Sequence, residues 1–265
     1  MPLDPIAAEA RVRWNALASS QNQWTQPKFE CTPEAARAEL DAFGLDWDPR
    51  GQRVLCLAAG GGQQSVLYGL LGAEVTVLEL SDTQLERDRA AAVHHGYAVR
   101  LEQGDMRELE RFGDDAFDHV AHGWSIAFVP DPERALREAL RVLRPGGPYT
   151  LEFANAVSIG LNEDAWDGHA YPFRFPFADG MEMDYGDEPW SWESEDGKVE
   201  VEGPREWRHS LAKVVGTLAA GGLRIQRLAE HPPGDPRAKP GSFEHFCAHA
   251  PPWLRLVGTL EPAAS

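Results

Sequence analysis

Short apolar runs alternate with helix-forming segments through the middle of this chain, and glycine or proline residues punctuate the pattern. Strands and helices that alternate at this spacing indicate right-handed βαβ units and a parallel sheet. The predicted strands are Val54–Leu57, Glu74–Leu80, Ala98–Glu102, Phe117–Ala121 and Tyr149–Phe153. The predicted helices between them are Gln64–Leu71, a helix that Ser81 or Asp82 caps and that runs to about His95, and Pro132–Leu143.

Two helices precede this pattern, over residues 5–18 and from Thr32 to about Phe43. The pattern lapses over about 155–206 and resumes with a helix at Trp207–Ala220 and strands at Leu223–Ala229 and 251–257. We expect the two late strands to pair antiparallel at the sheet edge. The fold prediction is therefore a doubly wound, mostly parallel, seven-stranded α/β sheet.

This pattern predicts one domain over 1–265 with four parts. They are an N-terminal helical cap (1–49), a core (50–155), an insert (156–206) and a C-terminal helix with edge strands (207–265). The insert separates two halves of one fold and is rich in aromatic residues. We therefore expect it to form a lid, because long connections inside compact domains are usually functional or disordered, and apolar content argues against disorder.

Charge and cysteine content narrow the functional classes. The formal net charge is −17, and no cluster of Lys and Arg is visible, which argues against nucleic acid and anionic membranes as partners. The three cysteines, Cys31, Cys56 and Cys247, are widely spaced and form no CxxC, so we expect neither a zinc site nor a disulfide framework. No apolar segment resembles a signal peptide or a membrane span, so we expect a cytoplasmic protein. The sequence shows no clear cluster of metal ligands, so we also expect no metal cofactor.

Glycine and acidic residues follow three successive predicted strands. Three glycines, Gly60–Gly62, come after the first strand, where the backbone can adopt positive φ and a ligand can approach it closely. Glu79 ends the second strand, where a carboxylate can accept hydrogen bonds from ribose hydroxyls. Asp105 and Met106 follow the third strand, where they could meet an amine and a ring nitrogen, although Asp105 could instead cap a helix.

A dinucleotide fingerprint is incomplete in this stretch. Gly60 and Gly62 fit the first two positions of G-x-G-x-x-G, but Ser65 occupies the third. This argues against an NAD-type oxidoreductase.

The chain resembles the class I S-adenosylmethionine-dependent methyltransferases over about residues 50–155, with a looser match at 207–258. The resemblance rests on VLCLAAGGGQQS, VTVLELSDTQLERDR, LEQGDMREL, FDHVAHGWSIAFVPDPERALREALRVLRPGG and EWRHSLAKVVGTLAAGGLRI. It implies that S-adenosylmethionine (SAM) is the cofactor. It also implies the roles of nine residues: Ala58, Gly60 and Gly62 at the methionine and ribose, Glu79 at the ribose hydroxyls, Leu80, Asp105 and Met106 at the adenine, and His122 and Gly123 beside the sulfonium.

Two positions depart from the family pattern. Cys56 stands where the family usually has an acid, and Ala58 stands where it usually has a glycine. The acid normally orients the methionine part of SAM, so its loss leaves the SAM amino group in need of another partner. We interpret Cys56 as a small buried residue rather than a nucleophile.

The resemblance implies methyl transfer from SAM to a small molecule by in-line displacement. A non-catalytic SAM-binding or scaffold protein is the alternative. His122 is the first candidate for proton removal or for orienting the acceptor, and its other interpretation is a histidine that only shapes the cavity. His209 is the second candidate, with a capping or surface role as the alternative.

The insert gives a clue to the acceptor, because residues 161–206 contain fourteen acidic and three basic residues. Aromatic and acidic residues together suit a cationic amine, but they also suit a solvated acidic loop that its aromatic residues anchor. The candidate substrate contacts are Trp124, Tyr171, Trp190 and Trp192. The sequence leaves open whether the protein is a monomer or a homodimer.

Overall fold

The computed structural model describes residues 3–20, 22–58, 60–186, 189–194 and 197–262. Ala59 of the glycine-rich motif and both chain ends of the predicted domain thus lie outside the described residues. The strands are β1 (Arg53–Leu57), β2 (Glu74–Glu79), β3 (Val99–Gln103), β4 (His119–His122), β5 (Pro148–Ala154), β6 (Trp190–Ser194), β7 (Gly197–Val201), β8 (Leu223–His231) and β9 (Trp253–Leu260).

Seven α-helices accompany these strands in the described part of the chain. They are α1 (Pro5–Ser19), α2 (Pro33–Phe43), α3 (Gln64–Leu70), α4 (Asp82–His95), α5 (Pro132–Val142), α6 (Leu211–Ala220) and α7 (Phe243–His249). The side chains of Asp4, Thr32, Ser81 and Ser210 cap the starts of α1, α2, α4 and α6. None of the described helices is long and apolar enough to cross a membrane.

Seven strands form one sheet in the order β3-β2-β1-β4-β5-β9-β8. The first five are parallel, whereas β9 pairs antiparallel with both β5 and β8. The predicted doubly wound, mostly parallel sheet and the antiparallel pairing of the late strands are thereby confirmed. The chain reverses direction along the sheet between β1 and β4, so a crevice opens at the carboxyl ends of these two strands.

Apolar side chains cover both faces of the sheet. The first core lies under α5 and α6 and includes Leu136, Leu140, Val214 and Leu218. The second lies under α2, α3 and α4 and includes Leu40, Leu67 and Leu85. The near-continuous burial of β1, β2 and β4 agrees with a parallel sheet covered on both faces.

The late part of the chain differs most from the sequence-based prediction. Helix α6 begins at Leu211 and not at Trp207, because Ser210 caps it and Trp207 pairs with Glu182 in an isolated β-bridge. Inside the insert, β6 and β7 form an antiparallel pair, and α7 follows β8; the sequence analysis predicted none of these three elements.

Candidate functional site

A cavity of about 1500 Å³ opens at the carboxyl ends of the central strands. We call it the central cavity. The ends of β1, β2 and β4, helix α1 and parts of the insert contribute to its wall. Its position at the reversal point of the sheet is where open α/β sheets bind ligands.

The turn after β1 has a left-handed backbone at each described position from 58 to 62. The φ angles are 51° at Ala58, 74° at Gly60, 75° at Gly61 and 86° at Gly62. Glycine adopts these angles freely, but Ala58 has a Cβ atom and is strained there. Ala58 and Gly60 line the central cavity.

Gly62 lies behind the turn instead of in the cavity wall. Its N–H donates to Asp88 Oδ1 at 2.9 Å, and a Cβ at this position would lie 2.9 Å from Pro27 and 3.1 Å from Ala91. Its amide is thus committed to α4, so the structure assigns Gly62 a role in close packing rather than in ligand contact.

Asp88 is a residue that the sequence analysis missed. It is fully buried and also accepts a hydrogen bond from Ser65 Oγ at 2.5 Å. Burial raises the pKa of its carboxyl group to about 7. A sequence signal existed, because Asp88 lies on the same face of α4 as the buried residues Leu85 and Ala92.

Glu79 ends β2 and lies in the wall of the central cavity. Its side chain is buried, and its Oε1 accepts a hydrogen bond from the Ser81 N–H at 2.9 Å. Burial raises the pKa of this carboxyl group, opposed by backbone hydrogen bonds that favour the charged form. The neighbouring Leu80 also lines the cavity.

Asp105 and Met106 line the same cavity after β3, but the Asp105 carboxylate is already engaged. It forms a forked ion pair with Arg107, with Nη2 to Oδ2 at 2.6 Å, and its Oδ1 accepts from the Arg107 N–H at 2.8 Å. Arg107 also pairs with Asp4, the N-cap of α1, at 2.8 Å. Arg107 thus connects this turn to the N-terminal helix, and no sequence pattern pointed to it.

His122, Gly123 and Trp124 follow one another at the carboxyl end of β4 and all line the cavity. Burial lowers the pKa of His122 to about 3, so its imidazole is neutral. The Gln64 side-chain amide bridges this strand end to α3, accepting from the Gly123 N–H at 3.0 Å and donating to the Ala121 carbonyl at 3.2 Å.

Cys56 does not reach the central cavity. Its thiol is fully buried on the face of β1 that packs under α2 and α3, and burial raises its pKa well above the ordinary value. This agrees with a small core residue, since a buried thiol of raised pKa is a poor nucleophile.

The insert contacts the N-terminal helix over the cavity. The Trp190 ring packs edge-on against Trp14 of α1, with ring centroids 6.5 Å apart, and against Trp24 at 5.6 Å. Arg13 of α1 pairs with Glu202 at 2.5 Å. Trp190 therefore lines the cavity where the insert and α1 meet.

Two other candidate substrate contacts lie elsewhere. Tyr171 packs against Trp166 and Phe246, and its hydroxyl is hydrogen-bonded to His245 Nδ1 at 2.7 Å, which anchors the insert to α7. Trp192 is half-buried on β6. Neither Tyr171 nor Trp192 belongs to the described wall of the central cavity.

His209 is not brought to the cavity either. Its Nε2 is hydrogen-bonded to the Val129 carbonyl oxygen at 2.9 Å, and the residue is buried ahead of α6. Burial lowers its pKa. The structure thus gives His209 a packing position, which differs from both the catalytic and the surface expectation.

Comparisons with known proteins agree with this architecture. Residues 55–151 match the family model of the methyltransferase domain. The chain is similar to the uncharacterised methyltransferase YbaJ of Bacillus subtilis, with 32% identity over 165 residues. The aligned region is 58% of this chain and 65% of that protein, so the chain spans less than two thirds of this relative's length.

Two solved structures share the fold. A SAM-dependent methyltransferase from Mesorhizobium loti matches with a TM-score of 0.63 and 22% identity over 87% of this chain and 99% of its own. The 1,6-didemethyltoxoflavin-N1-methyltransferase of Burkholderia thailandensis, solved with 1,6-didemethyltoxoflavin and S-adenosylhomocysteine, matches with a TM-score of 0.57 and 16% identity over 99% and 93% of the two chains.

The family match spans the sheet from β1 to β5, and thus includes the glycine turn, Glu79 and the cavity-lining end of β4. This part of the chain therefore contains a methyltransferase domain, and its fold is that of solved methyltransferases that use SAM as their cofactor.

Proposed function

We propose that this chain transfers the methyl group of SAM to a small-molecule acceptor bound in the central cavity, beneath the insert. The observation that carries the proposal is a buried carboxylate, Glu79, in the wall of a cavity that opens at the reversal point of a methyltransferase sheet. The Burkholderia neighbour, which is named as the methyltransferase of a small molecule, supports this class of acceptor.

The residues of the cavity wall fit the cofactor. Glu79 would accept hydrogen bonds from the ribose hydroxyls, and Leu80, Asp105 and Met106 would surround the adenine. Ala58, Gly60, His122 and Gly123 would surround the methionine part. When bound, SAM supplies a methyl carbon that the adjacent sulfonium activates.

The protein contributes alignment and exclusion of water. The contacts of Trp190 with Trp14 and Trp24 support closure of the cavity on the acceptor side. A closed cavity would hold the acceptor in line with the methyl group and away from water. Because burial keeps His122 neutral, its role would be to contact the ligand without a charge.

The charges of the wall favour a neutral or cationic acceptor. Five cationic side chains of the described wall each form an ion pair with an acidic side chain of the same wall. These are Arg13, Lys28, Arg107, Arg205 and Arg255, and the acidic wall residues are Glu9, Glu39, Glu79, Asp105, Glu152, Glu163, Asp164, Glu182, Asp184 and Glu202. The excess of carboxylates would repel an anionic acceptor, whereas the nearby aromatic rings suit an amine.

An acceptor panel tests this function. The purified protein is incubated with SAM and with sets of aromatic molecules that share one scaffold and differ only in a primary amine, an alcohol or a carboxylic acid. We expect release of S-adenosylhomocysteine with at least one amine or alcohol, and the weakest response from the acids. SAM binding without release above a protein-free control would instead support the non-catalytic alternative, and a preference for acids would contradict the charge argument.

A further inference from the structure

His122 has one ring nitrogen with a hydrogen-bond partner and one without. Its Nδ1 lies 2.8 Å from the hydroxyl oxygen of Tyr149 on the neighbouring strand β5. Its Nε2 is buried and has no hydrogen-bond partner among the described residues. Since His122 itself lines the central cavity, this nitrogen is available to a bound ligand.

The tautomer of His122 follows from the hydrogen-bonding needs of Tyr149. Tyr149 is fully buried, and its hydroxyl makes its one hydrogen bond among the described residues to His122 Nδ1. If the hydroxyl donates to Nδ1, both groups are satisfied and Nε2 carries the proton. If Nδ1–H donates instead, the hydroxyl hydrogen stays buried without an acceptor, which is unfavourable.

A second buried histidine on β4 has the opposite arrangement. His119 Nδ1 lies 2.8 Å from the carbonyl oxygen of Pro148, which can only accept, so Nδ1 carries the proton. His119 Nε2 then accepts from the Tyr68 hydroxyl, which lies at 2.8 Å. The same strand therefore holds two neutral histidines whose protonated nitrogens differ.

Trp124 adds a second donor to the same wall. Its indole Nε1 is buried without a partner among the described residues, and an indole N–H can only donate. The N–H groups of His122 Nε2 and Trp124 Nε1 would both be satisfied by a ligand atom that accepts hydrogen bonds. An oxygen of a carboxylate, carbonyl or hydroxyl group has this property.

We propose that Tyr149 fixes His122 as a neutral Nε2–H donor, which orients an oxygen atom of the bound ligand and does not remove its proton. Tyr149 is then a positioning residue, since it acts through His122. The proposal deepens the proposed function and rests on it only for the nature of the ligand. The oxygen acceptor belongs either to the methionine carboxylate of the cofactor or to the methyl acceptor.

The direct test is nuclear magnetic resonance of protein with ¹⁵N-labelled histidine, in which protonated and unprotonated ring nitrogens have well-separated shifts. We expect a protonated Nε2 for His122 and a protonated Nδ1 for His119, both unchanged between pH 5 and 8. Tyr149→Phe should shift His122 toward a mixture of tautomers and leave His119 as it was. The matched control, Tyr68→Phe, should leave His122 unchanged.

A protonated Nδ1 on His122 in the wild-type protein, with or without S-adenosylhomocysteine, would overturn the proposal. This measurement needs no turnover, so its failure is distinct from a failure of the proposed methyl transfer. It also needs no variant that folds poorly, because the decisive spectrum is that of the wild type.

Two substitutions at His122 separate a donor from a base. His122→Gln keeps a side-chain N–H at a similar reach, whereas His122→Leu removes it. A donor role predicts ligand affinity near that of the wild type for His122→Gln and a loss of about tenfold for His122→Leu. Equal loss in both variants, in protein that unfolds cooperatively, would contradict it.

The affected ligand identifies the source of the oxygen. Weaker binding of S-adenosylhomocysteine to His122→Leu, measured by calorimetry, would support the methionine carboxylate as the partner. Unchanged binding of S-adenosylhomocysteine together with a raised acceptor KM would support an oxygen of the methyl acceptor. Trp124→Phe should weaken binding of the same ligand, because it removes the second donor, and unchanged binding of both ligands would count against the pair of donors.

Discussion

Ala58 has a left-handed backbone, with φ of 51°, at the position where the family usually has glycine. A side chain in this region costs about 1–2 kcal/mol, whereas a glycine adds conformational freedom to the unfolded chain worth about 0.4–1 kcal/mol. We therefore predict that Ala58→Gly raises the free energy of unfolding by up to about 1 kcal/mol, measured by urea denaturation.

Ala90 provides the matched control for this substitution. It is exposed within α4, so its backbone is right-handed and helical. Ala90→Gly should lower the free energy of unfolding by about 1 kcal/mol. If both substitutions destabilised the protein equally, the strain at Ala58 would be refuted.

Asp88 should lower the free energy of unfolding as the pH rises. Its pKa is about 7 in the folded protein against 3.8 ordinarily, mainly because of burial. The folded state therefore holds a proton that the unfolded state releases. The contribution of Asp88 to the free energy of unfolding is fully present below about pH 4 and is lost as the pH rises through about 7. We predict that Asp88→Asn, which cannot ionise, becomes more stable relative to the wild type as pH rises across this window.

The free energy of unfolding of Asp88→Asn, taken relative to that of the wild type, should change across this window by an amount on the order of a few kcal/mol at most. Chemical denaturation at several pH values measures it, and a constant offset between the two proteins does not affect the slope. If the difference in free energy of unfolding between Asp88→Asn and the wild type did not change with pH, Asp88 would be charged in the folded protein throughout this range.

A site residue could be located from the sequence where it stands at the end of a predicted strand. Glu79 and Asp105 follow strands whose pattern is clear, so their place at the cavity could be predicted. Asp88, Arg107 and Tyr149 were missed because each acts through a contact between elements that are distant along the chain. Such contacts depend on packing that no local pattern records.

At the scale of elements, the insert meets α1 through the β6–β7 pair and the residues that directly follow it. Trp190 packs against Trp14 and Trp24 and lines the cavity, whereas Trp192 on the same strand lies outside the described wall. We predict that Trp190→Ala raises the acceptor KM by about tenfold or more, because burial of a tryptophan at a contact commonly contributes at least 2 kcal/mol. Steady-state kinetics with an acceptor from the panel measures it.

Trp192→Ala is the matched control and should change the acceptor KM far less. Both variants should keep the affinity for S-adenosylhomocysteine, since neither ring lies at the strand ends that form the cofactor side. A larger effect from Trp192→Ala than from Trp190→Ala would show that the acceptor binds on another face of the insert.

The elements of the core were predictable and those of the insert were not, for a physical reason. The central parallel strand β1 is buried on both faces and reads as the continuous apolar run VLCL. Strand β7 is exposed along much of its length, and its apolar face consists only of Val199 and Val201, which are half-buried. Helix α7 has only seven residues, and its capping residue Ser242 lies in a loop rich in glycine and proline.

For the whole molecule, the strand order explains how so many distant residues reach one cavity. Because β1 and β4 are neighbours in the sheet, the glycine turn and the His122–Trp124 segment meet across the reversal point. The predicted alternation of strands and helices sufficed for this arrangement. The acceptor did not follow from it, because we propose that the insert and α1 form the acceptor side, and neither belongs to this alternation.

The proposed methyl transfer depends most on SAM binding in the central cavity with Glu79 in its wall. Calorimetric titration with S-adenosylhomocysteine measures this binding directly. We predict saturable binding of one ligand per chain, weakened at least about tenfold by Glu79→Ala and unchanged by Glu74→Ala at the exposed start of the same strand. No binding of S-adenosylhomocysteine, or equal affinity in the wild type and Glu79→Ala, would contradict the account.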